Sequence, residues 1–336
     1  MNILNHYYSL RLIKDVKLEN NNIKPINIVF FSEWDSFDKW KNILLRHNIM
    51  LYNWPDDFKK DNTYTNITGA LVWDPPDSMW DYFPNIKIIQ SLGAGVDHIL
   101  KKQFPKNANI IKLNDPDLSN QMAEYTIMAV LMCKRKYFQY ASNIKNKKWK
   151  QLTPLNNKNF KITILGYGNI AKLVIKNLKN LGFNINVWSN TKRNLKNIRY
   201  YYGKNQLHDS LKDSSCLISL LPDTKLTKNI IGLEEFKLLN DESYFINIGR
   251  GNTVNQKELI YALKNTILTG AIIDVFQKEP LNKYNELWNL ANIFITPHIA
   301  GITNPTSHVA KLLKKNFNNL SDNKKLKNKV DTTKGY

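Results

Sequence analysis

The sequence reads as an α/β protein built from two doubly wound parallel sheets with a cleft between them. Three observations predict that class. Short apolar, β-rich runs alternate with helix-spaced segments from Ile26 onward. The series restarts after an Asn- and Pro-bearing interruption at residues 154–159. A chain of 336 residues also exceeds what one core usually serves.

The elements follow in order. Residues 26–31 form an apolar run that reads as a strand, and residues 37–47 have helical spacing. A second strand at 70–73 is closed by Pro75-Pro76, and a third at 86–92 runs into Gly93-Ala94-Gly95. One long helix is expected from residue 120 to about 145, with Met122, Tyr125, Ile127, Met128, Val130 and Leu131 on its apolar faces. Six further strands are expected at 162–165, 185–188, 216–220, 244–248, 271–275 and 293–296. A last helix at 304–320 returns to the first domain. The expected division is therefore residues 1–114 plus 301–336, for substrate, and 115–300, for a dinucleotide. Residues 1–25, where His6, Arg11, Lys14, Asp15 and Lys17 interrupt the apolar positions, read as a loose extension and not as a signal peptide.

Composition excludes several classes. At 43% hydrophobic and 23% charged the chain is globular. No apolar run approaches the roughly 18 residues of a membrane span. Cys133 and Cys216 are too few and too isolated for a zinc cluster or a disulfide framework, so no metal and a reducing, cytoplasmic location are expected. The net charge of +20 comes from 48 Lys plus Arg against 28 Asp plus Glu. The lysines are spread along the chain beside 46 Asn, and the densest basic run, 324–329, has no aromatic residue for stacking on a base. A solvated lysine surface explains the charge, and no nucleic-acid partner is expected.

Two constellations carry chemistry. Gly166-Tyr167-Gly168-Asn169-Ile170-Ala171 lies between a strand and a helix. There the first glycine permits the turn, the second admits a pyrophosphate to the backbone, and Ala171 lets helix and strand pack closely. The helix amino end favours the anion. About 20 residues on, where an NAD site places a carboxylate, the chain has Ser189, Thr191, Lys192 and Arg193. Hydroxyls and cations suit a 2′-phosphate, so NADPH is expected in preference to NADH. The second constellation is Arg250 in Asn-Ile-Gly-Arg-Gly, Glu279 in Asp-Val-Phe-Gln-Lys-Glu-Pro and His298 in Thr-Pro-His. Each falls just past the carboxyl end of a successive strand, where open α/β sheets hold ligands. Together they put a cation, an acid and an imidazole on one rim.

With Leu92-Gly93-Ala94-Gly95-Val96-Asp97, these segments make residues 26 to 336 resemble the D-isomer-specific 2-hydroxyacid dehydrogenases. Leu71-Val72-Trp73-Asp74-Pro75-Pro76, Trp188-Ser189 with Thr191, and Val330-Asp331 with Lys334-Gly335-Tyr336 resemble its glyoxylate- and hydroxypyruvate-reducing branch. The resemblance implies two Rossmann-like domains and NADPH-dependent reduction of glyoxylate and hydroxypyruvate to glycolate and D-glycerate. His298 would be the general acid, Glu279 its partner and Arg250 the grip on the 2-oxo acid. Backbone amides at Ala94, Gly95 and Val96 would hold the substrate carboxylate, and Trp73 would wall the pocket. Cofactor contacts would come from Gly166, Gly168, Asn169, Ile170, Ser189, Thr191, Lys192, Arg193, Leu221, Pro222, Ile248 and Asp274. A homodimer using the long helix is implied as well. Other readings stay open: a family member of D-lactate or phosphoglycerate type, or a dinucleotide-sensing corepressor on the same fold.

Overall fold

The computed structural model describes residues 24–195 and 197–335. The expected N-terminal extension up to residue 23, and Tyr336, lie outside the described residues. The chain divides into two compact units, one ending at Asp115 and resuming at Asn304, the other covering Pro116–Thr303.

The first unit contains β1 (Ile26–Phe31), α1 (Phe37–Leu45), β2 (Ile49–Asn53), β3 (Gly69–Val72), β4 (Ile88–Ser91), α2 (Asp97–Leu100) and β5 (Asn109–Ile111). Its strands form a parallel sheet in the order β2-β1-β3-β4-β5. Adjacent residues on a strand point to opposite faces, and Ile28 and Val29, like Ile88 and Ile89, are all fully buried. Both faces are therefore covered, as a parallel sheet requires. β2 and β5 are additions to the expected elements; both are short, and each pairs with one neighbour only.

The second unit opens with α3 (Pro116–Lys134) and α4 (Tyr137–Lys145), not with one continuous helix. Lys136 between them takes a left-handed φ of 61° and turns the chain. Pro116 starts α3 because a first-turn residue needs no amide donor, so the helix begins one turn earlier than expected. Then come β6 (Ile162–Leu165), α5 (Asn169–Asn180), β7 (Ile185–Ser189), β8 (Arg199–Tyr202), α6 (Leu207–Leu211), β9 (Cys216–Ser219), α7 (Leu233–Lys237), β10 (Tyr244–Asn247), α8 (Gln256–Lys264), β11 (Gly270–Ile273) and β12 (Ile293–Ile295). The helix α9 (Thr306–Ser321) belongs to the first unit and packs on α1.

The seven parallel strands run β12-β11-β10-β9-β6-β7-β8, so the strand order reverses direction between β6 and β9. Alternation along each strand splits the core. Ile162, Ile164, Ile218 and Ile246 pack with Val174, Ile175 and Leu178 of α5 on one face. Leu165, Leu217, Phe245 and Ile273 pack with Leu259 and Leu263 of α8 on the other. On α5 the buried Ala171, Val174, Ile175 and Leu178 fall at the i, i+3, i+4, i+7 spacing that gives a helix one apolar stripe. β8, an unexpected strand of sequence Arg-Tyr-Tyr-Tyr, covers the sheet edge beside β7.

Candidate active site

Arg250, Glu279 and His298 stand at the carboxyl ends of β10, β11 and β12, which are neighbours in one parallel sheet. His298 Nδ1 lies 2.7 Å from Glu279 Oε2, and the other carboxylate oxygen, Oε1, accepts the Phe276 amide at 2.8 Å. Partial burial alone would raise the Glu279 carboxyl. The His298 hydrogen bond, the Phe276 amide and the charges of His298 and Arg250 outweigh it and hold the carboxyl below its ordinary range. The site thus keeps a carboxylate beside the imidazole.

Close backbone approach brings these loops together. A Cβ on Gly251 would lie 1.9 Å from the Phe276 carbonyl carbon, so only glycine lets the Arg250 loop touch the chain leading to Glu279. The Arg250 carbonyl accepts from Asn247 Nδ2 at 3.1 Å and from the Thr253 hydroxyl at 2.7 Å. The Arg250 side chain donates to the Gly249 carbonyl at 2.9 Å.

The Asp274 carboxylate is hydrogen-bonded within the chain. It is buried, with Oδ1 accepting from the Thr296 hydroxyl at 2.6 Å and the Ile299 amide at 2.7 Å. Oδ2 accepts from the Ala300 amide at 2.9 Å, and the Asp274 carbonyl accepts from the His298 amide at 2.9 Å. His298 has a φ of 56°, a left-handed conformation that costs a non-glycine residue on the order of 1 kcal/mol. The Asp274 bonds on either side hold it there. Thr296 also meets the Tyr125 hydroxyl at 2.6 Å. Tyr125 sits half-buried on α3, and burial pushes its hydroxyl up to about 12. Tyr125 and Thr296 were not among the expected site residues, because nothing in their local sequence marks a bond between them.

The glycine turn lies at the strand-order reversal. Gly166 has a φ of 104°, and a Cβ there would fall 2.8 Å from the Leu220 carbonyl at the end of β9. Leu221 in turn crowds Gly249, at 2.7 Å from that glycine's absent Cβ, while Ile248 beside it is buried. Pro222 contributes its carbonyl to the Thr227 hydroxyl at 2.6 Å. At Gly168 the position of a Cβ meets nothing within 4 Å. The residue capping α5 is Gly168, which has no side chain to bond the amino end; the helix starts at Asn169 and Ile170, and its first turn has no acid. Open space over Gly168 at the amino end of α5 fits a dinucleotide pyrophosphate.

Beyond β7, Ser189 donates to the Thr191 carbonyl at 3.1 Å and lies 2.6 Å from the Tyr200 hydroxyl, which also bonds Thr191. Arg193 and Lys172 stand 5.6 and 5.7 Å from the Tyr167 ring, and Lys192 stands 5.5 Å from Tyr202. These three cations have no ion pair among the described residues. Arg193 and Lys172 thus flank Tyr167 of the glycine turn.

The remaining expected residues lie in the first unit. The Ser91 hydroxyl accepts from the Gly93 amide at 3.1 Å and donates to the Gly95 carbonyl at 3.0 Å, bracing the loop that carries Ala94, Gly95 and Val96. A Cβ on Gly93 would lie 2.4 Å from the Trp73 ring, which stacks on His98 at 4.2 Å between centroids. Trp73 is partly exposed and Val96 is buried.

A glycine turn at the strand-order reversal and an acid–imidazole pair lie at the carboxyl edge of one sheet. The class is that of a nicotinamide-dependent oxidoreductase. Residues 127–300 match the model described as D-isomer specific 2-hydroxyacid dehydrogenase, NAD binding domain. Over 288 residues, 83% of this chain and 90% of the relative, the sequence is 34% identical to glyoxylate/hydroxypyruvate reductase A of Photorhabdus laumondii. The chain belongs to the D-isomer-specific 2-hydroxyacid dehydrogenases. Two solved members share its fold. One from Xanthobacter autotrophicus, in complex with NADPH and MES, is 28% identical with a TM-score of 0.86, covering 93% of this chain and 100% of that one. A probable 2-hydroxyacid dehydrogenase from Rhizobium etli, in complex with NADP, HEPES and L(+)-tartaric acid, is 26% identical with a TM-score of 0.84, covering 94% and 100%. Among the described residues, no helix is long and apolar enough to cross a membrane.

Proposed function

We propose that this chain reduces glyoxylate and hydroxypyruvate to glycolate and D-glycerate with NADPH as the preferred cofactor. The observation that carries the reading is the 2.7 Å His298–Glu279 pair beside Arg250 at the carboxyl edge of the sheet. When bound, the nicotinamide supplies the hydride. Arg250 binds the 2-oxo acid, its planar fork matched to a carboxylate and a neighbouring carbonyl oxygen. His298, oriented through Nδ1 by Glu279, gives the proton on Nε2 to the carbonyl oxygen as it becomes a hydroxyl. Glu279 stays ionised throughout and stabilises the imidazolium until the proton leaves.

The preference for NADPH is supported by Arg193 and Lys172 beside Tyr167 and Lys192 beside Tyr202, and by the lack of a carboxylate in residues 188–193. The first unit is assigned the substrate role, with Trp73 and the amides of Ala94, Gly95 and Val96 contacting the acid. Exposed Met128, Leu131, Tyr137, Tyr140, Ile144 and Trp149 on and after α3 and α4 support a homodimer through this face. The free, buried Cys133 and Cys216 fit a reducing cytoplasm.

Loss of NADPH absorbance with glyoxylate, run beside NADH, tests the reading. A faster fall with NADPH is expected. Flat traces from folded protein that binds NADPH would overturn the substrate assignment and favour another 2-oxo acid or a sensing role.

A further inference from the structure

The hydrogen bonds behind His298 have a direction. Asp274 is buried and its carboxylate only accepts, so the Thr296 hydroxyl spends its proton on Oδ1 at 2.6 Å. The Tyr125 hydroxyl, 2.6 Å from the same Thr296 oxygen, must then be a donor. The row runs Tyr125 O–H to Thr296 O–H to Asp274. Asp274 in turn receives the Ile299 and Ala300 amides and, through its carbonyl, the His298 amide. The His298 amide lies a further 3.1 Å from the Thr296 carbonyl. The row starts on α3, reaches His298 through its backbone amide alone, and makes no side-chain bond to Arg250, Glu279 or His298 among the described contacts.

We propose that Tyr125 and Thr296 are positioning residues for the reaction, acting through Asp274 to hold the His298 loop where its ring meets Glu279. The proposal rests on the reading of His298 as the proton donor. Losing a hydroxyl from the row lets the loop relax, and a shift of about 1 Å at an acid costs on the order of a hundredfold in rate. Substrate binding through Arg250 is left in place, so kcat falls while KM does not. Because Tyr125 acts through Thr296, removing both costs no more than removing Thr296 alone.

The experiment is a cycle on the full chain: Tyr125→Phe, Thr296→Val, both together, and Thr296→Ser. Each is assayed with NADPH and glyoxylate, and its His298 ring proton resonances are followed by NMR, assigned through His298→Asn. The expected result is a kcat loss of about tenfold or more for Thr296→Val with KM within about twofold, a double variant equal to it, and recovery in Thr296→Ser. The His298 resonances should move in Thr296→Val and return in Thr296→Ser. Losses that multiply in the double variant, or an unchanged kcat with unmoved resonances, would overturn the proposal. Should the wild-type chain fail to turn over glyoxylate, the proposed reaction fails. The resonances still decide the row, since unmoved signals in Thr296→Val would sink it and moved signals restored by serine would sustain it. Tyr125→Phe keeps the Thr296–Asp274 bond and serves if Thr296→Val does not fold.

Discussion

Replacing Glu279 by Gln exchanges one hydrogen-bonding end of the side chain for its opposite. In the wild type, Oε1 takes the Phe276 amide and Oε2 faces His298 Nδ1. The glutamine oxygen must keep the Phe276 bond, so its NH₂ turns to Nδ1 and can only donate. It thereby favours a ring that has no proton there, which disfavours the imidazolium. A hydrogen bond between charged groups is worth about 1.5–3 kcal/mol. The two side chains are 30% and 39% exposed, and solvent screening brings the figure to about 1–2 kcal/mol. At 1.36 kcal/mol per pH unit, the profile of reductase kcat/KM should move about one unit toward lower pH. The sign follows from the reaction: an acid that has lost its partner needs a lower pH to stay protonated. Initial rates from pH 5 to 9, with circular dichroism to confirm the fold, make the assay. An unchanged profile in a folded variant would refute the pairing as the source of the acid. The same pair links to stability. The Glu279 carboxyl is held below its ordinary 4.5, so the wild type's advantage over Glu279→Gln is full above that pH. It disappears as the pH falls through the lowered value.

Two glycine substitutions should part in their effects. Gly168→Ala puts a methyl where no atom of the described residues lies within 4 Å, so its melting temperature should match the wild type while KM for NADPH rises about tenfold or more. Gly251→Ala drives a methyl into the Phe276 backbone and should lose about 2–4 kcal/mol in denaturant titration, with activity lost alongside. Equal melting of the two variants would contradict this placement of the loops. Lys192→Ala and Arg193→Ala should each raise KM for NADPH about tenfold and leave KM for NADH within about twofold, for the loss of roughly 1.4 kcal/mol of phosphate binding each. A parallel rise for both cofactors would remove these residues from the phosphate site.

Glu279 and His298 show what local pattern can carry. Each is found by counting past the end of an apolar run, because residues just beyond successive parallel strands must share one edge. The same logic finds Gly166 and Gly168 between a strand and a helix. The break at Lys136 escapes it, since Arg135-Lys136 contains neither glycine nor proline and both residues are ordinary helix formers. Strands β2, β5 and β8 escape it as well. The three-residue β5 has no period to read, and the aromatic run of β8 becomes a strand by pairing with β7.

By itself the sequence determined the α/β class, the glycine turn between a strand and a helix, and the strand-end trio of cation, acid and imidazole, because hydrophobic periodicity and strand-end position are local properties. Only the tertiary structure decided that the imidazole and acid meet at 2.7 Å, that Asp274 turns inward to hold the His298 loop, and that Tyr125 completes the row behind it. Tyr125 and Thr296 are 171 residues apart along the chain. A bond of that span arises when α3 packs against the sheet, and no property of either residue's neighbours in sequence foretells it.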